Sequence, residues 1–339
     1  MERREARAAL LRRARAVLRE RLPPGLVEKV RRLNVSYSWL IDMYAFDQAH
    51  SGAHTLSQRL RSMIHTTRRI RNRTRILFYP EIPAPVHVLY KVCLLLGHRV
   101  SIDPTKRFDI AVRWRDATFT PTDDTLSRLA GSREVLNSRC EDASKATVDT
   151  VFTQVFGYGL AINPRSHTGD YVRKSNLNAK HDGKIVGAPS EPEPDVVYQR
   201  VVNNEVDGGL VQDIRAPVFR STIPFVYLKY RPIEKRFSNR NTRVELASVE
   251  DMFSHEEAKQ IIRFCQAIGL DYGEIDILRD KEDGRLYIVD VNTTPSGPPN
   301  QLSGEGGKVA LEKLALAFQA ACFAKDTGKT PTGSRQLAG

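Results

Sequence analysis

The chain has 339 residues, 41% of them hydrophobic, and its 52 Lys and Arg against 40 Asp and Glu give a formal charge of +12. Such length and apolar content suit two or three compact units with ordinary cores and exclude wholesale disorder. The longest apolar stretches, Val92–Leu96 and Leu314–Ala324, fall short of the roughly 20 residues that cross a bilayer.

Arg recurs every few residues up to Leu22, so the basic start lacks the unbroken apolar core of a secretion signal. Cys93, Cys140, Cys265 and Cys322 form no C-x-x-C pair, which disfavours zinc ribbons and disulfide scaffolds. A reducing cytoplasm is the expected location. The charge is uneven: residues 1–75 hold 18 Lys and Arg against 6 Asp and Glu, whereas the remainder is balanced at 34 against 34. A high pI ordinarily points to nucleic acid or an anionic surface, and here that argument applies to the leader alone.

Helical spacing of Ala6, Leu10, Ala14, Val17 and Leu18 predicts a basic helix over 2–21, stopped by Pro23, Pro24 and Gly25. Further helices are expected over 26–33 and 56–71. From Arg75 the pattern becomes strand, helix, strand: Ile76–Tyr79, then Pro83–Leu96 ended by Gly97, then Arg99–Ile102 and Ile110–Trp114. That alternation predicts a small parallel sheet, with Arg113 and Arg115 near the carboxyl end of a strand, where open α/β sheets place ligands.

An amphipathic helix is expected over 141–156, ended by Gly157, followed by strands over 170–173, 196–202, 213–218 and 225–229. Ser254 and Glu257 stand at capping-box spacing before a helix over 255–268 that stops at Gly269. A last helix is expected over 308–324, and the small, polar residues 325–339 read as a disordered tail.

The segment GLDYGEIDILRDKEDGRLYIVDVNTTPSGPPN, residues 269–300, predicts two strands, 274–279 and 285–292, around a turn at Asp280–Gly284. Pairing Ile275 and Ile277 with Tyr287, Val289 and Val291 on one face sends Asp276, Asp290 and Asn292 to the other. Carboxylates converging in a covered layer need compensation, which a hard cation such as magnesium supplies. The alternative is a hairpin whose Asp residues take Lys or Arg partners.

This string resembles the carboxyl-terminal signature of the ATP-grasp superfamily, in particular the ribosomal-protein glutamate ligases and glutathione-synthetase-like enzymes. The resemblance runs from about Arg75 to Ala324 and implies an α/β (α+β) ATP-grasp fold. Residues 1–74 would be a basic helical extension, 75–138 a pre-ATP-grasp α/β domain and 139–324 the ATP-grasp domain with its nucleotide-binding lobes. It implies Asp276, Asp290 and Asn292 as metal ligands, for two Mg2+ ions or for Mn2+. Lys145 and Lys174 would be the nucleotide-phosphate lysines, and Gln199, Arg200, Val201 and Val202 the adenine hinge within VVYQRVV, with Glu205 at the ribose. DIRAPVF, FVYLKYRP and RFSNRN resemble the D-x-R strand and R-x-x-N loop, which nominates Lys229 for ATP and Arg215, Arg231, Arg236 and Asn239 for catalysis.

The chain departs from the family in three places. Asp290 replaces the usual Glu. The flap SNLNAKHDGKIVG, residues 175–187, has only Gly183 and Gly187 where a glycine-rich loop is common, so Lys180, His181 and Lys184 would supply charge. Gly273 and Glu274 stand where some ligases carry an Arg, which leaves oxyanion stabilisation to Arg215 or Arg231.

The implied activity is an ATP- and magnesium-dependent carboxylate–amine ligase that forms an amide or peptide-like bond through an acyl phosphate. A small-molecule or peptide carboxylate and an amine would be its substrates, an anionic partner would suit the extension, and a homo-oligomer is left open. The rivals are a kinase on the same fold acting on a hydroxyl, and a non-catalytic nucleotide-binding module with a polyanion-binding leader. His50 and His54 lack an H-E-x-x-H context, and no P-loop, G-x-G-x-x-G or G-x-S-x-G element is present.

Overall fold

The computed structural model describes residues 74–323, so the leader helices and the tail lie outside the described residues. The described residues fall into two compact units, 74–115 with 122–138, and 116–121 with 139–323. Parallel and antiparallel sheets are both present, an α/β (α+β) mixture.

The first unit holds a sheet of β1 (Arg75–Pro80), β2 (Arg99–Ser101), β3 (Ile110–Trp114) and β4 (Val135–Leu136), in the order β2-β1-β3-β4 and parallel throughout. Helix α1 (Val88–Leu96) ends at Gly97, whose φ of 71° is the left-handed C-cap expected there. It starts at Val88 rather than Pro83, because Pro85 steers the residue before it out of the α region. Helix α2 (Asp124–Ser132) has no counterpart in the sequence reading; it buries only Leu126 and Leu129, although Asp123 caps it by accepting the Leu126 N–H.

In the second unit, α3 (Lys145–Phe156) begins later than expected because the Ser144 side chain accepts the Thr147 N–H and caps it there. Strands β5 (Tyr171–Ser175), β6 (Lys184–Val186) and β7 (Val196–Arg200) form an antiparallel sheet in the order β6-β5-β7. The larger sheet runs β11-β10-β9-β12-β13, with β8 (Glu205–Val206) also on β9. Its strands are β9 (Leu210–Phe219), β10 (Val226–Pro232), β11 (Arg243–Ala247), β12 (Tyr272–Arg279) and β13 (Leu286–Asn292), all antiparallel.

Helices α4 (Val249–Met252) and α5 (His255–Ile268) follow β11, and α5 carries the full capping box between Ser254 and Glu257. Helix α6 (Gly304–Phe323) closes the described chain. Among the described residues no helix is long and apolar enough to cross a membrane.

Alternate residues of the large sheet go to opposite faces. Ile214, Ala216, Val218, Val226, Leu228, Ile275, Ile277 and Val291 enter one core with Val148, Phe152, Ile261 and Phe264 of α3 and α5. The hairpin pairing agrees with the parity argument as far as Asp276 opposite Asp290 and Ile275 opposite Val291. Beyond that the register shifts: Ile277 faces Ile288, and Val289 is an extra residue on β13. The bulge corrects the expectation that Tyr287, Val289 and Val291 share a face.

Candidate active site

The other face of the large sheet is built in rows by strand register. Tyr227 on β10 lies opposite Arg215 on β9, which lies opposite Asp276 on β12, which lies opposite Asp290 on β13. One row deeper, Glu274 faces Asn292, and on the other side Lys229 faces Asp213. Antiparallel pairing thus sets cations and carboxylates from four strands side by side.

This face lines a cleft of about 560 Å³. Lys145, Lys174, Asp213, Arg215, Lys229, Arg231, Asn239, Asp276 and Asp290 all line it. Val289 lines it beside Asp290, a juxtaposition of sequence neighbours that a regular strand would separate and the bulge permits. A smaller compartment of about 110 Å³ has apolar walls from Leu160, Val172, Leu278 and Val289, and polar edges from Gln199, Arg200, Asn204 and Arg236. Lys174, Asp213, Phe237 and Val289 line both spaces.

Arg215 clamps Asp276, with Nε donating to Oδ1 at 2.8 Å and Nη2 to Oδ2 at 2.7 Å. Lys229 Nζ adds a contact of 3.4 Å to Oδ1. Burial works to raise the Asp276 carboxyl, but Arg215 and Lys229 outweigh it and hold the group well below the usual carboxylate range. For Glu274 burial prevails over Arg215, and the carboxyl is pushed up to about 7. Burial also raises Asp290 and Asp213, against the pull of Lys145 on the first and of Arg231 and Lys229 on the second. Lys174 is lowered to about 8, first by burial and then by Lys145.

Asp290 Oδ1, Arg231 Nε and Asn241 Oδ1 are buried atoms without a hydrogen-bond partner, and all three residues line the same cleft. Leaving such groups unpaired costs about 1–3 kcal/mol each, so their gathering in one place is the signature of a ligand site. Lys145 Nζ stands 3.7 Å from Asp290 Oδ1 and donates to the Leu177 carbonyl at 2.7 Å. The open oxygen of Asp290, opposite Asp276 in the same row and one pair from Asn292, suits a hard cation in its donor chemistry. Among the described residues no group of three His, Cys, Asp or Glu could hold a metal ion, so a cation would depend on Asn292 or on ligand oxygens as well.

Other expected site residues already have partners within the protein, and of these Arg200, Val202 and Arg236 line the smaller compartment. Asn292 Oδ1 accepts the Thr294 N–H at 2.9 Å, and Glu205 lies 3.5 Å from Lys281 Nζ. The Val202 carbonyl accepts Arg236 Nη2 at 2.7 Å, and Arg236 also donates to Asn204 Oδ1 at 3.0 Å. Arg200 pairs with Asp280 at 3.0 Å and donates to the Tyr287 hydroxyl at 2.8 Å. Neither Val201 nor Glu205 nor Asn292 is among the residues lining either space.

Sequence reasoning passed over Asp213, Asn241 and Phe237. Asp213 is the first letter of the D-x-R string and binds Arg231 directly, while Asn204 Nδ2 reaches its Oδ1 at 3.0 Å. Period-two alternation with Arg215 was the available signal. The loop 176–183 contributes Lys180, His181, Asp182 and Gly183 to the cleft. A Cβ on Gly183 would come within 2.5 Å of Phe237 Cδ1, so this position requires glycine for the loop to seat.

No protein-family model matches the chain, and no curated protein does. Solved structures of ATP-grasp ligases are similar to it. The ATP-grasp ligase PsnB complexed with minimal precursor is 14% identical over 73% of this chain and 99% of its own, with a TM-score of 0.48. The D-alanine–D-alanine ligase from Bacillus anthracis is 12% identical over 74% and 96%, with a TM-score of 0.45. A RimK domain protein ATP-grasp from Sphaerobacter thermophilus is 11% identical over 74% and 100%, with a TM-score of 0.44.

Proposed function

We propose that the chain is an ATP- and magnesium-dependent ligase of the ATP-grasp type that joins a carboxylate to an amine. The observation that carries this reading is the charged face of the large sheet, where Arg215, Lys229 and Arg231 alternate with Asp213, Asp276 and Asp290 and the orphaned Asp290 oxygen opens into a cleft. A catalyst of phosphoryl transfer needs such an arrangement, because its work is positioning and charge stabilisation.

In this reading the smaller compartment receives the base between Leu160, Val172, Leu278 and Val289. Lys174, which lines both spaces, and Lys145, which lines the larger, meet the phosphates. Asp276 and Asp290, with Asn292, would hold Mg2+, which supplies charge neutralisation for the phosphate oxygens when bound. Arg215 and Arg231 face the transferring phosphoryl group, and their planar forks can spread its charge. The carboxylate substrate, a small molecule or a peptide, attacks the γ-phosphate and expels ADP to give an acyl phosphate, which the amine then captures with release of inorganic phosphate. Asn239 and the unpartnered Asn241 stand on the wall left for those substrates.

The test is ADP and phosphate release by the full chain with pooled acids and amines, with and without hydroxylamine. A hydroxamate formed with phosphate release supports the ligase. A stable phosphorylated product without phosphate release replaces it with a kinase, and nucleotide binding without turnover replaces it with a binding module.

A further inference from the structure

Asp276 has two claims on it. Both of its oxygens accept hydrogen bonds from Arg215, and Lys229 adds a third contact. Under the reading above the same carboxylate serves a divalent cation. A cation drawing on either oxygen weakens the hold on a guanidinium that cannot shed its proton, and an uncompensated buried charge is strongly destabilising.

Strand β12 carries a second carboxylate on the same face, two residues back. Glu274 is only 3% exposed, a rare place for a glutamate without a role for its charge. Its Oε2 lies 3.5 Å from Nη1 of Arg215, the fork nitrogen that Asp276 does not use. At that distance the ion pair is at the long limit of a hydrogen bond, so Glu274 holds Arg215 more loosely than Asp276 does and has room to close on it.

We propose that Glu274 is a positioning residue for Arg215: it takes over the guanidinium when a divalent cation engages Asp276, so that Arg215 stays aimed into the cleft in both states. The inference rests on Asp276 serving a cation, as put forward under the proposed function. It assigns a task to the chain's own Glu274, in the neighbourhood where some of the resembling ligases carry an Arg.

The experiment measures ADP affinity of the full chain by calorimetry, without metal and with saturating Mn2+. In the wild type, Mn2+ should tighten ADP binding. Glu274→Gln, which keeps the shape and removes the charge, should leave metal-free affinity within about twofold and cut the Mn2+-dependent gain by about 10-fold, the scale on which outer partners tune metal sites. Glu274→Asp, which keeps the charge on a shorter arm, should lose less, and it carries the test if the Gln variant does not fold. An unchanged Mn2+-dependent gain in these variants, or an equal loss with and without metal, overturns the role of Glu274 alone. A wild type with no Mn2+-dependent gain overturns the cation reading of the cleft, and this inference with it.

Discussion

The two faces of the large sheet are made by the same strands and differ in every physical respect. On β9 and β12 the residues Ile214, Ala216, Ile275 and Ile277 are fully buried against α3 and α5, while their neighbours Asp213, Arg215, Glu274 and Asp276 form a charged layer on the reverse side. The apolar face is held by non-directional burial, which tolerates substitution of similar shape. The charged face is held by specific partners, and removing one strands another. Stability and chemistry are thereby separated by a single step along each strand.

The largest expected effect tests the charged face directly. Asp290→Ala should lower ATP turnover by at least about 100-fold, the scale of losing a preorganised electrostatic contact, with little change in thermal stability, because an oxygen without a hydrogen bond is removed together with its 3.7 Å ion pair to Lys145. Turnover near wild type, measured as ADP release, would remove Asp290 from the site.

Arg215→Ala should cost about 3–5 kcal/mol in denaturant unfolding, since Asp276 and Glu274 would be left buried without their shared cation. A loss below about 1 kcal/mol would mean that Lys229 alone compensates Asp276.

The pH dependence of nucleotide binding gives a smaller effect. Lys174 titrates near pH 8 in the free protein, so polyphosphate binding should weaken as pH rises through about 8 and the bound state should take up a proton there. Lys174→Arg should abolish that inflection. The same lowered pKa means that the unfolded chain binds more protons between about 8 and 10.5, so the contribution of Lys174 to stability should improve with rising pH in that window.

The smallest change sharpens the contrast from the apolar side. Ile214→Val, one residue from Arg215 and facing the core, should cost about 1 kcal/mol of stability and leave kcat unchanged. A fall in kcat comparable to that of a cleft variant would show that the two faces are not independent.

Much of this was legible before any fold was known. Helix α5 announces itself because its cap, its apolar period and its terminal glycine are all local signals. That Asp276 and Asp290 share a face followed from parity. Elements carried by few buried residues were not legible: α2 buries two leucines, and β8 and β6 are two and three residues long, too short to show a period. Among the site residues, the lysines and arginines came from resemblance, and the cleft gathers Lys145, Lys174, Lys229, Arg215 and Arg231 together. Val201, Glu205 and Asn292 were nominated by the same means and do not line it; Glu205 pairs with Lys281, and Asn292 Oδ1 accepts the Thr294 N–H.

What the amino-acid order dictates here is alternation: which residues of each strand share a face, where the well-capped helices stop, and that Asp276 and Asp290 of the hairpin go to a common side. It could not dictate which cation meets which carboxylate, because that follows from register between strands as much as 60 positions apart. Arg215 came to Asp276 through the pairing of β9 with β12, Lys229 came through β10, and the bulge brought Val289 to the cleft beside Asp290. These partnerships depend on non-local packing and on burial that makes an unpaired charge intolerable, and no window along the chain contains either.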